Sequence, residues 1–201
     1  MNRFMMLVGL ASAVVIGMHA AVQAAQQVMS TNFFIVTNPT GGAAMRKMVF
    51  KVGRGVLDTV VGNPAANGAT LEVKLGNGTM QCFHLPAANW KPTSLGGYRF
   101  ADVTGANGVT KVAIKSRDPH GFGLEIRATG KRGATINVLP QLLTTRFDLN
   151  LALGGGDAYC AGGPTPAEAT NTDTVYNVKN APAPSVCGVA ACSPSGAFLN
   201  Y

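Results

Sequence analysis

The sequence is poor in the side chains from which most active sites are built. It holds nine acidic residues, three histidines and one tryptophan among 201 residues. A glycosidase needs two carboxylates flanking one cleft, and no spacing here indicates such a pair. The usual zinc patterns of paired cysteines or histidines and the oxygen-rich calcium loop are also missing. We therefore predict a protein that is not an enzyme and that has no metal, cofactor or catalytic residues.

Long apolar runs are missing beyond the N-terminus. Arg3 precedes the uncharged run LVGLASAVVIG (7–17), and the small residues Val22 and Ala24 suit cleavage before Ala25. The run is shorter than the ~20 residues that a bilayer span requires. We predict that residues 1–24 are a signal peptide, and that residues 25–201 form a secreted protein, extracellular or periplasmic, with no membrane span.

Charge of negative sign is scarce in the middle of the chain. Residues 46–146 hold 14 basic and 5 acidic side chains, a net charge of 14 − 5 = +9. Residues 147–201 hold 1 basic and 4 acidic side chains, a net charge of 1 − 4 = −3. A basic body could favour an extracellular glycan or another anionic polymer. Because the basic residues are scattered through predicted strands, we prefer an ordinary solvated exterior and predict no specific nucleic-acid binding.

Helical periodicity is also missing, whereas alternation is frequent. The segments TLEVKL (70–75), GLEIRAT (123–129) and RFDLNLAL (146–153) place apolar residues at every second position, which is typical of half-buried antiparallel strands. Weaker strands are predicted near residues 32, 46, 97, 109, 134 and 174. Asn77-Gly78 predicts a type I′ hairpin turn. The fold class is therefore all-β: one antiparallel β-sandwich domain over residues 25–201, jelly-roll-like or immunoglobulin-like.

Four cysteines allow three pairings, and an exported protein favours disulfides. The proline-rich stretch before Cys187 is stiff and extended, so residues 181–201 are predicted to be a strap fastened to the domain. A Cys160–Cys187 bond would close a loop of 28 residues, worth about 3–4 kcal/mol. Cys82–Cys192 would follow by elimination. Cys82 is equally consistent with a small buried apolar residue, and a Cys187–Cys192 loop stays open.

Three stretches, LPAANWKPTSLGGYRFAD (85–102), YCAGG (159–163) and KNAPAPSVC (179–187), resemble motifs of a group of exported bacterial proteins. The resemblance spans most of the mature chain, supports the Cys160–Cys187 pairing and implies no particular activity. That group often carries a cysteine pair around the hairpin that corresponds to residues 109–128, which this chain lacks. The matching residues are Leu85, Pro86, Ala87, Asn89, Trp90, Gly97, Tyr98, Phe100, Asp102, Tyr159, Cys160, Ala161, Lys179, Asn180, Ala181, Pro182, Ala183, Pro184 and Cys187.

Two local patterns could carry chemistry, and each has a simpler interpretation. In SRDPHGFG (116–123), Asp118 could orient His120 as a base for Ser116, but Asp-Pro followed by Gly is ordinary turn chemistry. Cys82 and His84 share one strand face and could bind a metal, but nothing else in the sequence accompanies them. We therefore prefer a turn at residues 116–123 and a disulfide at Cys82.

Aromatic residues next to cations are the remaining candidates for binding. Trp90 and Tyr98, with Lys91 and Arg99 beside them, could stack on a sugar and hold its charged groups. The competing interpretation places Trp90 over the edge of the sandwich, with Tyr98 and Phe100 in the core. We predict a non-catalytic structural or binding module at the cell surface. The alternatives are a carbohydrate- or polyanion-binding protein and a self-associating subunit of an extracellular fibre.

Overall fold

The computed structural model describes residues 26–53, 60–116, 121–131, 134–142, 144–188 and 192. The predicted signal peptide, residues 1–24, lies outside these ranges. The described part is almost entirely β-structure, with one short helix, α1 (Pro64–Asn67), and 3₁₀ turns at Ala43–Met45 and Ala87–Asn89. The strands are β1 (Gln26–Val28), β2 (Thr31–Thr37), β3 (Lys47–Lys51), β4 (Ala69–Leu75), β5 (Met80–Leu85), β6 (Trp90–Pro92), β7 (Tyr98–Ala101), β8 (Val109–Ser116), β9 (Phe122–Thr129), β10 (Arg146–Leu153), β11 (Ala158–Pro164), β12 (Thr170–Asn171) and β13 (Val175–Ala181).

These strands form two sheets. The smaller sheet has the order β1-β11-β10-β4-β5, and the larger sheet has the order β12-β13-β2-β3-β9-β8-β7-β6. All neighbours pair antiparallel except β1 and β11, which are parallel. The sheets face each other across one apolar core, where Phe34 of the larger sheet stacks on Phe147 of the smaller one with ring centroids 5.0 Å apart. The predicted all-β sandwich is confirmed.

Alternation of apolar and polar residues decides which face of each strand is buried. In β10 the side chains of Phe147, Leu149, Leu151 and Leu153 are buried, while the residues between them lie on the outer face. The chain crosses from the smaller to the larger sheet between β5 and β6. There the Trp90 indole Nε1 donates to the Leu85 carbonyl oxygen at 3.3 Å, which ties the two sheets together.

The strand predicted near residue 134 is wrong, although its alternation is real. Ile136 and Val138 are fully buried, yet residues 134–140 belong to no strand. Side chains make the hydrogen bonds to this backbone that a neighbouring strand would otherwise make. Gln81 donates through Nε2 to the Thr135 carbonyl and accepts at Oε1 from the Asn137 amide, both at 2.7 Å. Backbone polar groups need partners, and here side-chain partners let an extended segment close the sandwich.

The hairpin between β4 and β5 is confirmed, but its turn differs from the predicted type I′. Gly78 has φ +88°, whereas Asn77 does not have a positive φ. The Gly78 amide donates to the Leu75 carbonyl at 3.0 Å, and the Leu75 amide donates to the Thr79 carbonyl at 2.8 Å. This is a three-residue loop that ends in a left-handed glycine. The Asn77 Oδ1 accepts from the Thr79 amide at 2.9 Å, which favours this turn.

Both disulfides lie on the outer face of the smaller sheet. Cys160 pairs with Cys187 and Cys82 pairs with Cys192, with Cα–Cα distances of 5.6 and 5.8 Å. The register places Cys160, Asn150, Glu72 and Cys82 in one row across β11, β10, β4 and β5. Three strand spacings of ~4.8 Å make that row about 14 Å long, which five extended residues can span. The two disulfides therefore attach the predicted strap to the smaller sheet at the first and the last residue of this row.

Candidate anion-binding surface

The outer face of the larger sheet collects half of the basic side chains of the protein. Directly opposed residues in a sheet point to the same side, so the register traces one row from Lys91 through Arg99, Ala113, Glu125, Lys51 and Phe33 to Lys179. Six strand spacings of ~4.8 Å give this row a length of about 29 Å. We call this surface the basic face; its eight cations are Lys47, Lys51, Lys91, Arg99, Lys111, Lys115, Arg127 and Lys179.

The basic face carries a single carboxylate among the described residues, that of Glu125. Its net charge is therefore 8 − 1 = +7, and the sequence holds 16 basic residues in all. Opposed or diagonal cations on adjacent strands are ~5–8 Å apart, whereas Lys179 lies two strand spacings, ~10 Å, from Lys51. Because the Debye length is about 8 Å at physiological ionic strength, such cations act jointly on an anion. The basic residues are scattered through several strands, as predicted, but the fold gathers half of them on one surface.

Glu125 neutralises part of the basic face through two ion pairs. Its carboxylate accepts from Lys111 Nζ at 2.8 Å and from Arg127 Nε at 2.7 Å, and the Glu125 side chain is 17% exposed. The hydrogen bond from Lys111 and that from Arg127, together with the two positive charges, lower the pKa of Glu125 to about 2 against the opposing effect of burial. Glu125 is therefore ionised at neutral pH and partly neutralises these two cations.

The four predicted ligand-binding residues separate onto two sides of the sheet. Lys91 and Arg99 stand opposite each other on β6 and β7, and both are exposed on the basic face. Trp90 is only 4% exposed and stacks at a tilt against Phe100 inside the core. Tyr98 is half-buried; it packs against the core and also lines a depression beside Arg99. The prediction that Trp90 stacks on a sugar is therefore wrong, because its ring offers no face to solvent.

Two shallow depressions indent the basic face around Arg99. One has a volume of about 290 Å³ and is centred on Ala113, which is small and 2% exposed. Its lining consists of Thr93, Tyr98, Arg99, Lys111, Ala113 and Lys115. The other has a volume of about 300 Å³ and shares Arg99 with the first. Its lining consists of Ala88, Asn89, Lys91, Arg99, Ala101 and Val103. Among the residues that the structure describes, neither lining includes a carboxylate.

One cluster of possible metal ligands lies on the opposite sheet, at the second disulfide. Ligand atoms of Glu72, Cys82 and Cys192 lie within 4.8 Å of one another. Both sulfurs are bonded to each other and so cannot act as thiolates. Glu72, 7% exposed, instead accepts from the Cys192 amide at 2.9 Å and helps to hold the strap. The Cys82–His84 metal hypothesis is therefore not supported, since Cys82 is in a disulfide.

The strap borders a groove of about 420 Å³ on the smaller sheet, and its charges are mixed. Lys74 and Arg146 line this groove together with Glu72 and Asp148. The Arg146 guanidinium is paired with Asp148 at 2.6 Å. The groove therefore lacks the charge of one sign that marks the basic face. The loop proposed for Asp118 and His120 (residues 117–120) lies outside the described residues.

Asp102, one of the motif residues of the resemblance, has a structural role in this molecule. The residue is 5% exposed, and its carboxylate closes the loop between β7 and β8. Burial opposes its charge, but hydrogen bonds from the Thr104 hydroxyl and the Asn107, Gly105 and Thr104 amides outweigh burial and lower the pKa of Asp102. The aspartate therefore fixes the turn that leads from the predicted binding residues into β8.

Comparisons of the chain with protein families, with curated proteins and with solved structures found no match. The resemblance to exported bacterial proteins therefore stays a prediction that rests on its motifs. No helix in the described part of the chain is both long and apolar enough to cross a membrane.

Proposed function

We propose that this protein is an exported, non-catalytic binding module whose basic face holds an anionic polysaccharide. The observation that carries the proposal is the net charge of +7 on one face of one sheet. The two disulfides support export, because disulfides persist in oxidising compartments. Binding at such a face depends on complementary charge and on many weak contacts, which suits a long polymer.

A polysaccharide is favoured over a nucleic acid by the shape and composition of the face. Single-stranded nucleic acids are held by series of aromatic side chains that stack on the bases. Among the described residues of this face, the aromatic residues are Phe33 on β2 and Tyr98 on β7, which lines one depression; both are half-buried, and they lie too far apart to form such a series. Duplex DNA is read by a helix or a β-ribbon that projects into a groove, whereas the basic face is the broad surface of a sheet. A flat array of cations fits a chain of charged sugars better.

The proposal is tested by titrating the mature protein with heparin, polygalacturonate, neutral dextran and single-stranded DNA at several salt concentrations. We expect binding to heparin or polygalacturonate that weakens steeply with salt, and no binding to dextran. Tighter binding to single-stranded DNA than to both polysaccharides would redirect the proposal to nucleic acids. Equal binding to dextran, or no binding to any anionic polymer, would contradict it.

A matched pair of variants locates the site. Lys115→Glu changes an exposed cation of the basic face, and Lys74→Glu makes the same change on the other sheet. We expect Lys115→Glu to weaken binding roughly two- to fivefold and Lys74→Glu to have little effect, since an exposed charge pair contributes up to about 1 kcal/mol. Glu125→Gln should strengthen binding roughly threefold, because it frees Lys111 and Arg127. Equal weakening by both lysine variants would exclude the basic face.

A further inference from the structure

Three cations surround Ala113 on the basic face. Arg99 stands opposite Ala113 on β7, and Lys111 and Lys115 lie two residues away on either side along β8. Ala113 contributes only a methyl group, so the long side chains around it leave the depression of about 290 Å³ above it. A larger residue at position 113 would fill this space. The depression therefore depends on one small side chain.

The charges in this depression are only partly compensated. Lys111 is bound to Glu125 at 2.8 Å, and that carboxylate does not line the depression. Arg99 and Lys115 make no ion pair with any carboxylate in the described ranges. An anionic group in the depression would thus meet Arg99 and Lys115, which have no carboxylate partner in the described ranges, and Lys111, which it would share with Glu125. An arginine also offers a planar pair of donors to a carboxylate or sulfate group.

The second depression lies diagonally beside the first. Ala101 on its floor is two residues from Arg99, which stands opposite Ala113, so the two floors are roughly 7–8 Å apart. At about 290 and 300 Å³ the depressions lie at or below the lower end of the roughly 300–1,000 Å³ that drug-sized ligands occupy. Each therefore suits one sugar unit, and Arg99 lies between the two.

We propose that the two depressions are consecutive subsites for neighbouring units of an anionic polysaccharide, with Arg99 bridging them and the depression over Ala113 holding a sulfate or carboxylate substituent. This inference rests on the proposed function. It adds that affinity depends on the shape of the face as well as on its charge. The chain of sugars would run diagonally over β6, β7 and β8.

The test changes shape while leaving charge unchanged. Ala113→Val makes the first depression shallower, and Ala152→Val makes the same change on the outer face of the smaller sheet. Titrations use heparin oligosaccharides, which carry sulfates and carboxylates, and polygalacturonate oligosaccharides, which carry carboxylates alone, all of defined length; binding to heparin alone would identify the substituent as sulfate. We expect Ala113→Val to weaken binding roughly tenfold or more at an unchanged salt dependence, since it adds two methyl groups and even one extra methylene in a fitted site costs about tenfold. Ala152→Val should bind as the unchanged protein does.

A second pair of variants keeps the test valid if valine disturbs β8. Arg99→Lys keeps the charge but removes the planar donors, whereas Arg146→Lys makes the same change on the smaller sheet, at a residue paired with Asp148. We expect a several-fold loss for Arg99→Lys alone. If the unchanged protein binds these oligosaccharides but Ala113→Val and Arg99→Lys bind equally well, the subsites are refuted and the proposed function stands. If the unchanged protein binds none of them, both proposals fail.

Discussion

The two disulfides should stabilise the domain to different and calculable extents. Replacing Cys160 and Cys187 with alanine opens a loop of 28 residues, and replacing Cys82 and Cys192 opens one of 111 residues. Constraint of the unfolded chain grows with the logarithm of loop length, which gives losses of about 3.5 and about 5 kcal/mol. Domains are typically stable by only 5–15 kcal/mol, so each loss is large.

The loss of stability caused by removing one disulfide should depend only weakly on whether the other disulfide is present. When Cys160–Cys187 is intact, the path from Cys82 to Cys192 through that bond has 78 + 5 = 83 steps instead of 110. The shorter path lowers the contribution of the second bond by only about 0.2 kcal/mol. The losses of the two pairs should therefore add to within a few tenths of a kcal/mol in the variant that lacks all four cysteines.

Urea unfolding measures these quantities, with Trp90 as the probe. Trp90 is the one tryptophan of the sequence and is buried, so its fluorescence reports loss of the core. The free energies of unfolding come from linear extrapolation, with equal slopes indicating comparable unfolded states. A smaller loss for the Cys82–Cys192 pair than for the Cys160–Cys187 pair would refute the loop-length argument. A deviation from additivity above about 1 kcal/mol would show that the strap couples the two bonds in the folded state.

Two further predictions concern buried or paired carboxylates. The pKa of Glu125 is lowered to about 2 in the folded state, so the stability that its charge contributes is complete above the unfolded pKa of about 4.5 and is lost as pH falls towards 2. Between pH 5 and 2.5, urea unfolding should show that Glu125→Gln loses on the order of 2 kcal/mol less stability than the unchanged protein does. Parallel curves of stability against pH would contradict the ion pairs. Asp102→Ala removes the acceptor of several loop amides and should cost about 2–4 kcal/mol, whereas Asp102→Asn, which keeps one acceptor oxygen, should cost less; equal losses would show that the loop does not depend on these hydrogen bonds.

Local alternation was sufficient to predict the strongest strands. The segment 146–153 coincides with β10, and 70–75 falls within β4, because a half-buried strand must alternate apolar and polar residues. The same reasoning failed at residues 134–140, where alternation is present without a ladder. The partner there is the side chain of Gln81, more than fifty residues earlier in the chain. No local pattern reports a bond of that kind.

The candidate site was predicted only in part. Lys91 and Arg99 were identified because they neighbour aromatic residues in the sequence, and the structure places both on the basic face. Lys51, Lys111 and Lys179 were missed as members of the site. Their positions in the alternation of β3, β8 and β13 indicate an outward direction. Alternation therefore predicts which side chains of a strand face outward, but it does not predict which strands lie next to each other.

By itself the sequence determined that this chain forms β-strands with one apolar face, and that its cations lie on the faces turned to water. The period of two along a strand decides this locally. Only the tertiary structure decided that β6, β7, β8, β9, β3 and β13 share one sheet, in which β13 pairs with β2 across more than 130 residues of chain. Strand order is set by the packing of the whole core, and it is this order that turns separate cations into a single charged surface.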